Sequence, residues 1–460
     1  MASHPAVRHI SRCSINPDYF SEESKQTFHL TPWDISMLSA HYIQKGLLFP
    51  KPPPATNDNG PSITIIDHLK DSLSRTLFHF LPLAGQLVTH KHEDPPSYSI
   101  SISLDCKNTP GVEFIHAVAD VTTSDILSPI DVPPIVQSFF PLDKAVNHDG
   151  HTLPLLAVQV TEILDGIFIA CSLNHVVGDG VSYWNFFNSW AEICRTVQGK
   201  QDHISRPPIL RRWFLDGHGP IINLPFSHHD EFIDRYQPPV VLRERFFHFS
   251  PQSVRMLKAK VNAECNTSTI SSFQALSALV WRCVTRARRH LPNDRKTSFR
   301  FTIDNRSRLS PPLSSHYFGH CVQAGNASAT IGELLNHGIG WAALLLHEAV
   351  KGHTDSKVRK WLEVWMKSPF IYQLEDFFDP CNVRMGGSCR FDMYGCDFGW
   401  GMAEAVRSGS GNKFDGKVFS YPGRQGGSVE LEVCLLPESM SVLESDPEFM
   451  DAVSPSQIGD

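Results

Sequence analysis

Apolar residues recur along this chain with two different periods. Residues 63–80 place Ile66, Leu69, Leu73 and Leu77 three and four apart, the spacing of one helix face. Residues 98–104 alternate Ser with Tyr, Ile and Leu, which predicts a strand with one buried side. A weaker alternation over 7–13 predicts a short first strand. Two continuous apolar runs, 155–160 and 166–173, flank a polar 161–165 and predict a hairpin of buried strands. Residues 181–196 then bring Trp184, Phe187, Trp190 and Ile193 to one side at spacings of three, which predicts a helix. The second half reads as a strand over 245–249, helices over 250–264 and 271–288, and a buried strand over 300–303. Helices over 331–351 and 357–367 and an alternating strand over 429–435 follow. Residues 30–34 read as a turn before an apolar stretch to Leu48, and 51–62, rich in Pro, Asn and Gly, as a loop. Strands and helices interleave throughout, which predicts α/β or α+β layers.

Length adds a division to this picture. A chain of 460 residues exceeds the usual size of one hydrophobic core. Residues 198–225 are polar, then rich in Pro and Gly, and suit a crossover. The expected organisation is a first domain over 1–200, a crossover over 201–225 and a second domain over 226–460. The net charge of −7, with no long Lys/Arg run, argues against a nucleic-acid partner. Short basic groups such as Arg211-Arg212 still suit a phosphorylated co-substrate. No 18-residue apolar run predicts a membrane span, and the N-terminus shows no apolar leader core. The eleven cysteines form no CxxC pair and no zinc-like spacing, so a reducing, cytoplasmic setting is expected. The 29 Phe suit a large core or an apolar tunnel, and composition does not choose between them.

The chemistry concentrates at Ser172-Leu-Asn-His175-Val-Val-Gly-Asp179-Gly180. An apolar strand ends, a His appears, and an Asp follows four residues on in a Gly-rich turn. A His with an ordinary pKa of about 6.5 takes a proton at neutral pH. That suits deprotonation of a hydroxyl or amine attacking a thioester. Alone, the same pattern fits a strand-end His and an Asp capping the next helix. A zinc reading lacks a third ligand. A second pattern, Asp397-Phe-Gly-Trp-Gly401, lies far downstream, and its glycines imply positive φ or close backbone approach. Neither a P-loop nor a GxGxxG run accompanies it.

Together and in this order, His-Val-Val-Gly-Asp-Gly and Asp-Phe-Gly-Trp-Gly resemble the BAHD acyltransferases, the plant coenzyme A-dependent acyl-transfer family. Further landmarks share the resemblance along nearly the whole chain: Leu30-Thr-Pro-Trp-Asp34, Leu81-Pro-Leu-Ala-Gly-Gln-Leu87, Gly111-Val-Glu-Phe114, Asp304-Asn-Arg306-Ser-Arg308 and Tyr317-Phe-Gly-His320. The resemblance implies two similar chloramphenicol-acetyltransferase-like domains, each a mixed sheet with flanking helices, with a channel between them. It implies a monomer with no permanently bound cofactor and no metal, taking acyl-CoA as co-substrate and a small-molecule acceptor. His175 takes the general-base role. Asp179 pairs with Arg306 and supports the loop structurally. Trp400 either packs or donates its indole N–H to the donor or oxyanion, while Asp397 and Gly399 hold their motif near the cofactor. Lys258, Ser271 and Ser272 fall where the family places coenzyme A, although Ser271 is equally an N-cap. His41 and Tyr42 fall where the acceptor is lined, although His41 equally suits an ordinary helix face.

Met385-Gly-Gly-Ser388, 406–416 and 433–440 resemble a branch that includes uncharacterised acetyltransferase-like proteins and the isochorismoyl-glutamate lyase of salicylate formation. A lyase acting on a chorismate-derived conjugate without coenzyme A is therefore the alternative to acyl transfer. The chain departs from the family pattern at His320, where Asn is common, and at Met402-Ala403, where Lys-Pro is common. The Trp and Arg typical of shikimate and quinate transferases are absent from their usual context.

Overall fold

The computed structural model describes residues 6–18, 27–52, 64–94, 97–107, 109–196, 204–235, 241–373 and 379–455. The first seven strands are β1 (Val7–Ile15), β2 (Thr27–His29), β3 (Ile43–Pro50), β4 (Gln86–Asp94), β5 (Ser97–Asp105), β6 (Val112–Ala119) and β7 (Leu156–Glu162). They are followed by β8 (Gly166–Leu173), β9 (Arg243–Phe249), β10 (Lys296–Asp304) and β11 (Val322–Thr330). The last are β12 (Val383–Gly387), β13 (Ala405–Ser408), β14 (Lys417–Pro422) and β15 (Val429–Leu435). They form a six-stranded sheet in the order β1-β6-β7-β8-β3-β13, another in the order β11-β10-β12-β14-β15-β9, and a small β2-β5-β4 sheet. Both large sheets mix parallel and antiparallel neighbours. This is the mixed α/β architecture that the interleaved periods predict. Among the described residues, no helix is long and apolar enough to cross a membrane.

In the first sheet, every residue of β8 and nearly all of β7 are buried, as their continuous apolar runs require. Helices Ile65–His79 and Gly180–Cys194 pack together in the same core, tied by Trp190 Nε1 donating to Ser72 Oγ at 3.1 Å. The sheet also draws a strand from far downstream: β13 pairs antiparallel with β3, Val406 opposite Leu47. Gly46 on β3 leaves room for the Phe168 ring, where a Cβ would sit 2.6 Å from its Cζ.

The second sheet has one apolar and one polar face. Phe299, Phe301, Val383, Met385, Val418, Leu431 and Val433 share a core with helices Pro251–Glu264, Ser272–Ala287 and Ile339–Lys351. Because side chains alternate along a strand, their neighbours point to the opposite face. There Arg300, Arg384 and Lys417 stand side by side by register on β10, β12 and β14.

Two expectations need correction. The helix expected over 331–351 is two helices, Ile331–Asn336 and Ile339–Lys351. His337 is extended between them, with φ −92° and ψ 161°, and Gly338 is the next N-cap. Arg282 donates to the freed carbonyls of Leu334 and His337, which stabilises the break. Strand β11 was not expected, because its inward positions are filled by Ala and Gly rather than β-branched residues. Gly325 is required there: a Cβ would fall 2.6 Å from a Phe301 ring carbon. The loop expected over 51–62 lies mostly outside the described residues.

Leu47 is fully buried under the β3–β13 pair. Leu47→Ala is expected to cost about 2–5 kcal/mol of stability, read as a lower thermal midpoint by circular dichroism. A midpoint equal to that of the wild type would contradict this placement.

Candidate active site

The apolar run of β8 stops at Leu173, and the chain turns through Asn174 to Asp179 before the helix begins at Gly180. Buried asparagines brace this turn. The His175 backbone N–H donates to Asn147 Oδ1 at 2.7 Å, and Asn174 Nδ2 donates to the Asn147 carbonyl at 2.7 Å. Asn174 Oδ1 accepts from the Val176 N–H at 3.0 Å, and Asn147 Nδ2 donates to the Met37 carbonyl at 2.7 Å. Asn147 and Asn174 are fully buried. The sequence reading missed Asn147, since a single polar residue in an irregular stretch carries no periodic signal.

Asp179 has two structural tasks. Its Oδ1 caps the following helix by accepting from the Ser182 N–H at 3.0 Å. Its carboxylate also receives both Arg306 amines, Nη1 to Oδ2 at 2.7 Å and Nη2 to Oδ1 at 3.1 Å. Oδ2 further accepts from the Cys321 N–H at 3.0 Å. Burial alone would raise the Asp179 pKa, but the Arg306 charge and these bonds hold it down at about 2. Arg306 also donates to the carbonyls of Tyr317 and Gly319. The Asp179–Arg306 pair that the resemblance implied is present, and it fastens the His175 loop to residues 317–321.

A second buried pair works beside it. Arg212, from the crossover stretch, lies 3.4 Å by Nε from Asp34 Oδ2 and donates to the carbonyls of Val177, at 2.9 Å, and Phe318. Asp34 Oδ1 accepts from the His320 N–H at 3.0 Å. Gly319 has no Cβ, which leaves room for the Arg212 guanidinium. Arg212, read from the sequence as a basic group suited to a phosphorylated co-substrate, is instead buried against Asp34, a landmark residue that was not singled out for the site.

These anchors present the His320 ring to His175. The two Nδ1 atoms lie 3.2 Å apart, with ring centroids at 4.8 Å and planes at 60°. His320 is buried, while His175 keeps partial exposure. Burial lowers the pKa of both rings, and the neighbouring His175 lowers that of His320 further. Both rings are thus neutral near pH 7.

The downstream motif packs against the same helix. Arg195, just past the end of Gly180–Cys194, donates to the Asp397 carbonyl. Phe398 meets Trp190 edge-on at 5.0 Å, and Trp400 stacks on Phe398 at 5.5 Å. The Asp397 carboxylate accepts from the N–H groups of Gly399, at 2.8 Å, and Gly401, at 3.0 Å. Those glycines have φ of +109° and +108°, which an L side chain disfavours. Asp397 and Gly399 thus close their own turn. The Trp400 Nε1–H is buried without a hydrogen-bond partner among the described residues.

The remaining expected site residues are scattered. Lys258 is exposed on helix Pro251–Glu264. Ser271 N-caps helix Ser272–Ala287 in a capping box with Gln274, and Ser272 opens its first turn. His41 is partly exposed and its Nδ1 accepts from the Asn412 N–H at 3.1 Å. Tyr42 beside it is 1% exposed, and its hydroxyl donates to the Pro154 carbonyl at 3.2 Å.

Residues 6–450 match the model of the Transferase family. The chain is 36% identical to an uncharacterised acetyltransferase of Arabidopsis thaliana, over 97% of this chain and 99% of the relative. It is 34% identical to the BAHD acyltransferase DCR of Arabidopsis thaliana, over 93% of this chain and 89% of the relative. The crystal structure of TRI101 from F. graminearum, complexed with ethyl coenzyme A, shares the fold with a TM-score of 0.71 at 19% identity, over 93% of this chain and 99% of that one.

Removing one partner of a buried bidentate pair strands the other charge. Asp179→Ala and Arg306→Met are each expected to cost about 3–5 kcal/mol, with the double variant costing less than their sum, by thermal melts in a double-mutant cycle. Because Asp179 titrates at about 2 in the folded chain, against an ordinary 3.8, its contribution is complete above pH 4 or so. It is lost as the pH falls through about 2, so Asp179→Asn should flatten the acid limb of stability against pH.

Proposed function

This chain belongs to the Transferase family, among the BAHD acyltransferases, and from that premise we propose that it moves an acyl group from an acyl-CoA thioester to a hydroxyl or amine of a small molecule, with His175 as general base. The observation that carries this reading is the His175 ring, braced at a strand end, partly exposed, and met at Nδ1 by His320. The bound ethyl coenzyme A of the TRI101 neighbour supports the choice of donor.

One hydrogen bond between two Nδ1 atoms holds one proton, so it fixes a tautomer. If His320 donates, His175 carries its other proton on Nε2 and has no lone pair to offer there. If His175 donates, His320 accepts as the Nε2–H tautomer and His175 Nε2 keeps a free lone pair. Base catalysis requires the second arrangement. Nε2 then takes the acceptor proton as its oxygen or nitrogen attacks the thioester carbonyl. The tetrahedral adduct collapses, the C–S bond breaks, and the imidazolium returns the proton to the coenzyme A sulfur. The partnerless Trp400 N–H is our proposed donor to the oxyanion, and Lys258, Ser271 and Ser272 our proposed coenzyme A contacts.

His175→Ala is expected to slow thiol release from an acyl-CoA and acceptor panel by about 10²–10⁴-fold. Release at the wild-type rate would overturn the base assignment. No release with any pair, alongside cleavage of isochorismoyl-glutamate, would replace the transferase by the lyase. Since burial lowers the His175 pKa, its basic form persists below the ordinary value, and the acid limb of kcat/KM is expected below pH 6.5.

His320 is here a positioning residue. His320→Phe, which offers no acceptor atom, is expected to lower kcat by at least about tenfold with KM nearly unchanged. His320→Asn, which restores an acceptor oxygen, should recover much of it. Equal kcat in wild type and the Phe variant would remove the tautomer argument.

A further inference from the structure

The polar face of the second sheet holds more positive than negative charge. Glu244 and Glu432 are both spent on Lys413, whose Nζ lies 2.5 Å from Glu244 Oε2 and 2.9 Å from Glu432 Oε1. Glu432 is saturated further by the hydroxyls of Ser408 and Tyr421, each at 2.7 Å. Lys45, reaching across from β3, donates to the Tyr421 hydroxyl at 2.6 Å. Lys417 is left over. It is 7% exposed, and among the described residues no hydrogen-bond acceptor or carboxylate meets its ammonium. The rings of Phe419 and Phe414 lie 4.6 Å and 5.9 Å from it by their centroids. Gly386 leaves space beside it, since a Cβ there would sit 2.9 Å from Nζ. Arg384, engaged elsewhere, stands next to Lys417 by register and adds its charge.

A buried cation without an anion is costly unless something supplies one. Burial, then the charges of Arg384 and Lys45, push the Lys417 amine well below the usual lysine range. Lys417 and Lys45 share the Phe419 ring, at 4.6 Å and 3.6 Å from its centroid, and Lys45 pairs with Cys171 of β8, the strand that ends just before His175. We propose that Lys417, backed by Arg384, is an anion subsite that takes a carboxylate carried by one of the two substrates. This rests on the acyl-transfer reading only for which molecule brings the carboxylate. An ionised acid entering the site would restore the ammonium and form a charge-assisted hydrogen bond. A neutral ester or amide would bring no anion to pair with the amine.

The test uses the whole chain and two matched probe pairs by isothermal titration: 3-hydroxybenzoate against its methyl ester, and malonyl-CoA against acetyl-CoA. At least one acid is expected to bind about tenfold or more tighter than its neutral match. Which pair shows the preference tells acceptor from donor. In Lys417→Met that preference should vanish, and the variant should melt no lower than wild type, since a buried polar group without a partner has been removed. Lys417→Gln serves if the Met variant does not fold. Equal binding within both pairs, a preference that survives substitution, or a lower melting point of the Met variant would each overturn the subsite. Carboxylate preference without thiol release from any donor and acceptor pair would keep the subsite and discard acyl transfer.

Discussion

The geometry of the candidate site depends on one buried ion pair. Asp179 and Arg306 come from opposite halves of the chain, and their bidentate contact joins those halves at the His175 loop. A carboxylate with no solvent must be paired or protonated. Here it is paired, and also accepts from Ser182 and Cys321. Every one of those bonds fixes backbone rather than substrate. The helix after His175 starts where Asp179 caps it, and residues 317–321 lie where Arg306 holds their carbonyls. Arg212 and Asp34 repeat the logic with the crossover and the first turn, so four remote segments meet at the His175 loop.

Such bracing explains how two histidine rings are held nitrogen to nitrogen in an interior that disfavours charge on either. Neither ring chooses its position: His175 is set by Asn147 and the end of β8, and His320 by Asp34. A neutral pair sharing one proton is compatible with burial, whereas two imidazolium rings at 3.2 Å are not.

How much of this was legible beforehand follows from what each residue does locally. Strands buried on both sides and long amphipathic helices announce themselves by period, as β7, β8 and helices Ile65–His79 and Gly180–Cys194 did. Strand β11 stayed hidden because its core positions are small, and the break at His337 because Arg282, remote in sequence, caps it. His175, Asp179 and Trp400 were legible as motif residues. Asn147 and Arg212 were not, because each acts by hydrogen bonds to backbone from far away, and no spacing rule records such a partner.

Charge placement on the second sheet separates structural from functional polarity. A polar residue that stabilises the free chain finds its partners within it, as Asp179, Arg306, Lys413 and Glu432 do. Lys417 sits among them at similar depth and, among the described residues, has no hydrogen-bond or carboxylate partner. Its neighbours on the register could have been arranged to satisfy it, since Glu432 lies one strand away yet is committed to Lys413. An interior that satisfies most of its charges and leaves one open is either destabilised for no return or complete only with a ligand. The place of Lys417 beside Lys45 on the Phe419 ring, next to the strand pair that leads to His175, favours completion by a ligand.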